Sequence, residues 1–273
     1  MGRLLIQELK FRIGAMIGWS LGLCFFPLVY IAIYPSVAEQ MAGLVDLEIY
    51  KAMGINLGTF PDWLGSIMLV IFPLVTSIFA IINGTGTLAG EEEDGRLEMI
   101  VTLPHPRWKI ITAKALALSI SLFVITLVVS SVSWLVFILL EGQIDTTMTG
   151  MQLFRSVLST WPMVFAVGML SIFLAVFCSN RRTASTIAAA ILVIGYFGSN
   201  LSASTKVLEP FEPLFLFTYV DGTGRAVIEG QAAGDLSVLL GIGLVSFALA
   251  LFFFQKRRLT VAAWPWQRGR VEG

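Results

Sequence analysis

Six stretches of this chain run for about 20 residues or more without a single Asp, Glu, Lys, Arg or His: 13–38, 63–90, 115–140, 156–180, 183–205 and 236–255. A hydrocarbon core about 30 Å thick takes about 20 apolar residues of helix to cross. Inside lipid every backbone N–H and C=O must find an internal partner, so only helices and closed barrels span it. A barrel would alternate apolar and polar residues in segments of about ten, whereas these blocks are continuous and too long for strands. The chain therefore reads as an all-α integral membrane protein of six transmembrane helices.

The rest of the composition agrees. Hydrophobic residues make up 56% and charged residues 13% of the chain, against about 25% charged in a soluble domain. Net charge is zero, and no basic arm points to nucleic acid. Cys24 and Cys178 lie in apolar blocks and His105 is the one histidine, so the expectation is apolar packing for the thiols and no metal site. The first block has a basic flank like a signal peptide, but it is too long and lacks a small-x-small cleavage site. It reads as a retained span.

Charge sets the expected orientation. Fourteen of the 18 Lys and Arg fall at the N-terminus (Arg3, Lys10, Arg12), after span two (Arg96, Arg107, Lys109, Lys114), after span four (Arg181, Arg182) and in the tail (Lys256, Arg257, Arg258, Arg268, Arg270). The other side holds Lys51, Arg155, Lys206 and Arg225. The positive-inside rule then places both termini in the cytoplasm. Residues 1–258 form a single transmembrane domain and 259–273 a cytoplasmic tail. For Arg3 to Arg12 two readings stay open: an interfacial amphipathic helix, or an extension of span one. On the outer side, Glu39 to Asp62 has the pattern of an amphipathic helix. Lys206 to Asp235, with Phe211, Phe215 and Phe217 between and beside prolines, suits a partly embedded segment.

No span contains an ionisable group at which a coupling ion could bind. Nor does the chain hold a phosphate-cradling Gly-x-x-x-x-Gly-Lys-Ser/Thr loop. Uphill movement would need energy from a partner, delivered through a cytoplasmic surface. The candidate surface reads Glu91-Glu92-Glu93-Asp94-Gly95-Arg96-Leu97-Glu98-Met99-Ile100-Val101-Thr102-Leu103-Pro104. Asp94 can cap a helix with Leu97, Ile100 and Val101 along one side, ended by Pro104. Its acidic start favours the positive end of the helix dipole. Such a short helix suits docking into a groove on another protein; an ordinary solvated loop is the plain alternative.

Six spans with an acidic-Gly-x-Leu-Glu segment between spans two and three resemble the type 2 ATP-binding-cassette export permeases. The matching residues are Glu92 or Glu93, Gly95, Leu97, Glu98, Met99, Ile100, Pro104, Arg107 and Lys114. Arg96 and Ala113 stand where that family commonly has threonine and glycine. The resemblance implies two permease chains, identical or homologous, docked on two cytoplasmic ATPase subunits that carry the ATP and Mg. This chain would hold no cofactor of its own and would not be an enzyme. Glu91 to Leu103 would be the coupling helix, Arg3 to Arg12 an interfacial connecting helix, and the segment before span six an outer gate. A prokaryotic plasma membrane is the implied location. The alternative is a membrane anchor that recruits a cytoplasmic partner and transports nothing.

Gly14, Gly18 and Gly22 make a small-x-x-x-small face in span one that permits close helix approach, within the chain or between chains. Ala188 and Gly195 offer a similar face in span five, and the resemblance places spans one and five at a dimer seam. Thr76 and Asn83 in span two and Asn200 in span five are polar residues that could line a path, although Ser and Thr often bond back to their own helix. Phe211, Phe215 and Phe217 are the outer-gate candidates.

Overall fold

The computed structural model describes residues 2–41, 59–87, 106–144, 146–178, 180–205 and 207–256. Among these residues there is no strand, and six helical stretches are long and apolar enough to cross a membrane. The first is α1 (Gly2–Leu23) and α2 (Phe25–Met41), parted at Cys24. Pro27 causes the break: it has no N–H for the carbonyl of Leu23, and its ring would clash with that oxygen. The ladder is carried across by Cys24 N donating to Ser20 O at 2.9 Å and Leu28 N donating to Cys24 O at 3.3 Å. Residues 3–12 thus extend span one as continuous helix, the second of the two readings.

Span two is built in three pieces: α3 (Phe60–Leu64), a π-helical turn (Gly65–Ile71) and α4 (Phe72–Thr85). The wide turn precedes Pro73, and the Phe72 N–H donates five residues back to Ile67 O. Widening the helix here accommodates a proline that offers no N–H to Leu69. Span three is the 34-residue α5 (Arg107–Leu140), which starts well before position 115 because Arg107 to Lys114 is already helical. Span four joins α6 (Gly150–Leu158) to α7 (Trp161–Phe177). Thr149 and Gln152 form a reciprocal capping box at the start of α6, satisfying two otherwise orphan N–H groups. Span five is α8 (Arg181–Ser204) and span six α10 (Ala233–Lys256). Between them lie two 3-10 turns, Glu209–Leu214 and Leu216–Tyr219, and the short α9 (Gly224–Glu229).

The core sits around α7, which packs against α10, α4, α8 and α5, and 13 of whose 17 residues are buried. Glycine permits that density. A Cβ on Gly84 of α4 would lie 2.6 Å from the Cβ of Ser171 on α7, so the two helices approach as glycine alone allows. Helix α1 leans on α5, while most of α1, α8 and α10 faces outward with Ile17, Leu21, Ile194, Phe197, Leu244 and Val245. Apolar residues facing outward are what lipid or a second membrane chain requires.

Candidate functional site

One end of the bundle gathers the start of α1, the end of α4, the starts of α5 and α8, and the end of α10. It holds Arg3, Lys10, Arg12, Lys109, Lys114, Arg181, Arg182 and Lys256, and is called the basic end below. The inward stripe of α1 runs through Glu8, Arg12, Met16, Trp19, Ser20 and Leu23, at helical spacing. Its first two members are charged and most of the rest are apolar. The charged members have partners. Lys114 Nζ of α5, 1% exposed, donates to Glu8 Oε1 at 2.7 Å. Arg12 Nη1 donates to Asn83 Oδ1 of α4 at 3.2 Å, while Asn83 Nδ2 donates to Phe79 O at 3.0 Å.

Two further features shape this end. Gly86 lies under the guanidinium of Arg181, where a Cβ would meet it at 3.3 Å. Asn180 caps α8, accepting from Thr183 N at 2.7 Å. The acidic segment itself (Glu92, Glu93, Asp94, Gly95, Arg96, Leu97, Glu98, Met99, Ile100, Thr102, Leu103 and Pro104) lies outside the described residues, as does the amphipathic pattern of 42–58. Its flanking residues are described: Thr87, buried, on one side and Pro106 on the other.

The opposite end carries a folded cap made of residues 207–230. Asp62 of α3 ties it down. Its Oδ1 accepts from Gly224 N, the first turn of α9, at 2.8 Å, and its Oδ2 accepts from Thr59 Oγ1 at 2.7 Å. A carboxylate at the exposed N–H groups of a helix start is favourable. The approach is close: a Cβ on Gly65 would lie 2.5 Å from Gly222 O and 2.8 Å from Thr223 O. A recess of about 120 Å³ opens beside this contact, its mixed lining including Ser66, Ser199, Asn200 and Thr223 alongside Val70, Ile71 and Phe217.

The structure brings some sequence candidates together and separates others. Asn200, Phe215 and Phe217 meet at the cap. Phe217 is buried and packs edge-on to Tyr196 at 5.3 Å, Phe215 sits on Gly198 and Gly195 abuts Leu216 and Phe217. Phe211 points outward, 53% exposed. Thr76 is fully buried and donates to Phe72 O at 2.8 Å, so its hydroxyl hydrogen is spent within its own helix. Asn83 belongs to the basic end through Arg12. Ala188 is buried. Among the described residues, and apart from their own helix backbone and chain neighbours, Gly14, Gly18 and Gly22 have no atom within 4 Å of where a Cβ would stand. Two of them, Gly18 and Gly22, border an outward groove of about 430 Å³ whose lining includes Ala15, Trp19, Phe26 and Val75.

Sequence reasoning missed Glu8, Lys114 as a buried pair, and the cluster of Asp62, Gly65, Gly222 and Gly224. For the cluster a signal existed in the Asp221-Gly222-Thr223-Gly224 turn and the acid that immediately precedes span two.

Six apolar helical stretches around an enclosed α7, with a charged stripe at one end and a folded cap at the other, define a polytopic membrane protein. The chain matches the family described as ABC-2 family transporter protein over residues 3–259, nearly its whole length, and it belongs to that family. No curated protein matches it.

Proposed function

We propose that this chain is the permease subunit of an ATP-driven exporter, working as a dimer and powered by separate cytoplasmic ATPase subunits that hold the ATP and Mg. Membership of the transporter family supports the permease part. The observation that carries the coupling part is the bracing of the two helices that residues 91–104 connect in sequence. This acidic segment joins α4 to α5, and both helices are anchored to α1 through charged groups at the basic end. A force applied to the segment meets a braced framework rather than a loose loop. In this reading the basic end faces the cytoplasm of a prokaryotic cell, in keeping with the positive-inside rule, and Glu92 to Pro104 seat in a cleft of the ATPase.

ATP-driven closure of two ATPase subunits would push this lever and rock the helices between two packings, the usual form of coupling through a bistable interface. The open glycine face of Gly14, Gly18 and Gly22 serves the seam with a second permease chain. The cap, with Asn200, Phe215 and Phe217, serves as the outer gate. Thr76 then acts in packing rather than as a path residue, since its donor is spent within α4.

The test is co-purification of the chain with a phosphate-loop ATPase from its native membrane. The complex is expected with the unaltered chain and lost, or reduced at least roughly tenfold (about 1.4 kcal/mol), in Gly95→Pro, with insertion into the membrane unchanged. A chain that inserts fully but never associates with such an ATPase would contradict the proposal.

A further inference from the structure

The charged stripe on α1 contacts two helices that are far apart in sequence. Glu8 reaches Lys114, 106 positions away, and Arg12 reaches Asn83, 71 positions away. The two contact points on α1 are four residues apart, one helical turn, on a single face. Lys114 is fully enclosed and Arg12 is 8% exposed, while Glu8 is 20% exposed and Asn83 is half-buried, so each contact joins a buried cation to a partner nearer the surface. A charge in such a place is retained against a large desolvation cost only while its partner stays in position. Below this turn the same face of α1 continues as Met16, Trp19 and Leu23, with Trp19 packed edge-on to Phe79 at 5.6 Å. Beside it lies the open groove at Gly18 and Gly22.

We infer that Glu8 and Arg12 form a two-point strap by which α1 holds the end of α4 and the start of α5 in register, so that any displacement of those two ends is passed to span one. Glu8, Arg12, Asn83 and Lys114 are positioning residues. Pairing one helical face to two partners makes the strap cooperative: loosening the Lys114 point frees α1 to shift and weakens the Asn83 point as well. Its use in ATP-driven movement rests on the exporter reading above; the strap itself does not.

The experiment is hydrogen exchange of the full chain in lipid nanodiscs, comparing the unaltered protein with Lys114→Met, Asn83→Ala and the swapped pair Glu8→Lys/Lys114→Glu. In Lys114→Met, exchange should rise roughly tenfold in residues 4–12 and 110–118 and also across the strap in 80–87. Asn83→Ala should raise it reciprocally in 110–118. The swapped pair should return the rates toward those of the unaltered chain. A rise confined to the side of the substitution in both single variants, or a swapped pair no better than Lys114→Met, would overturn the strap. Should Lys114→Met fail to insert, Asn83→Ala decides alone. Failure of the unaltered chain to bind an ATPase would count against the exporter reading and leave the strap unaffected.

Discussion

At the scale of single residues, the contrast between two glycines of similar sequence context is informative. Gly65 and Gly18 both lie in spans, yet a Cβ at 65 would meet backbone oxygen at 2.5 Å while one at 18 meets nothing within 4 Å among the described residues beyond its own helix. Backbone cannot rotate aside as a side chain can. Gly65→Ala is expected to cost about 1–3 kcal/mol, read as a lower thermal midpoint in detergent. Gly18→Leu should leave the unfolding of the isolated chain within about 0.5 kcal/mol of the original. The Glu8–Lys114 pair follows a different rule. Glu8→Ala takes this carboxylate away from a fully enclosed ammonium, a change worth about 3–5 kcal/mol for a deeply buried pair. Glu8 is 20% exposed, which puts the expected loss at the lower end, and Glu8→Gln should lose less because its amide oxygen still accepts.

Among the elements, caps and prolines decide where helices start and break. Thr149 accepts from Gln152 N, and Gln152 Oε1 accepts in return from Thr149 N at 2.8 Å. Thr149→Ala should destabilise by about 1 kcal/mol, measured by chemical or thermal unfolding. Asp62 does more, since it joins α3 to α9 across 162 positions. Asp62→Ala should raise hydrogen exchange in 224–229 while leaving α7 protected, and Asp62→Asn, which keeps the acceptor oxygen, should restore most of the protection. The six spans were legible in the sequence because lipid tolerates nothing else: uncharged blocks of that length have one solution. The breaks at Pro27 and Pro73 were foreseeable from missing N–H groups, but a π-helical turn is one of several ways to absorb a proline. Long-range pairs such as Glu8 with Lys114 and Asp62 with Gly224 leave no periodic trace in a single sequence. The back-bonding of Thr76 was anticipated by chemistry that any hydroxyl in a helix obeys.

For the whole molecule, the distribution of buried surface separates an enclosed α7 from α1, α8 and α10, whose outward faces await lipid or a second chain. Gly18→Leu, neutral for the isolated chain, fills the groove beside Trp19 and Gly22. If that groove is the seam with a second permease chain, the dimer fraction in nanodiscs should fall at least roughly tenfold, about 1.4 kcal/mol; an unchanged fraction would place the seam elsewhere. The central claim is that force enters this protein from an ATPase through the acidic segment ahead of Pro104. Its most direct measurement is ATP turnover by the companion ATPase reconstituted with the chain, unaltered or carrying Glu98→Ala. Turnover that depends on the unaltered chain and loses that dependence in the variant, with both forms equally inserted, is the predicted result. Turnover indifferent to the presence of the chain, or identical with both forms, would contradict it.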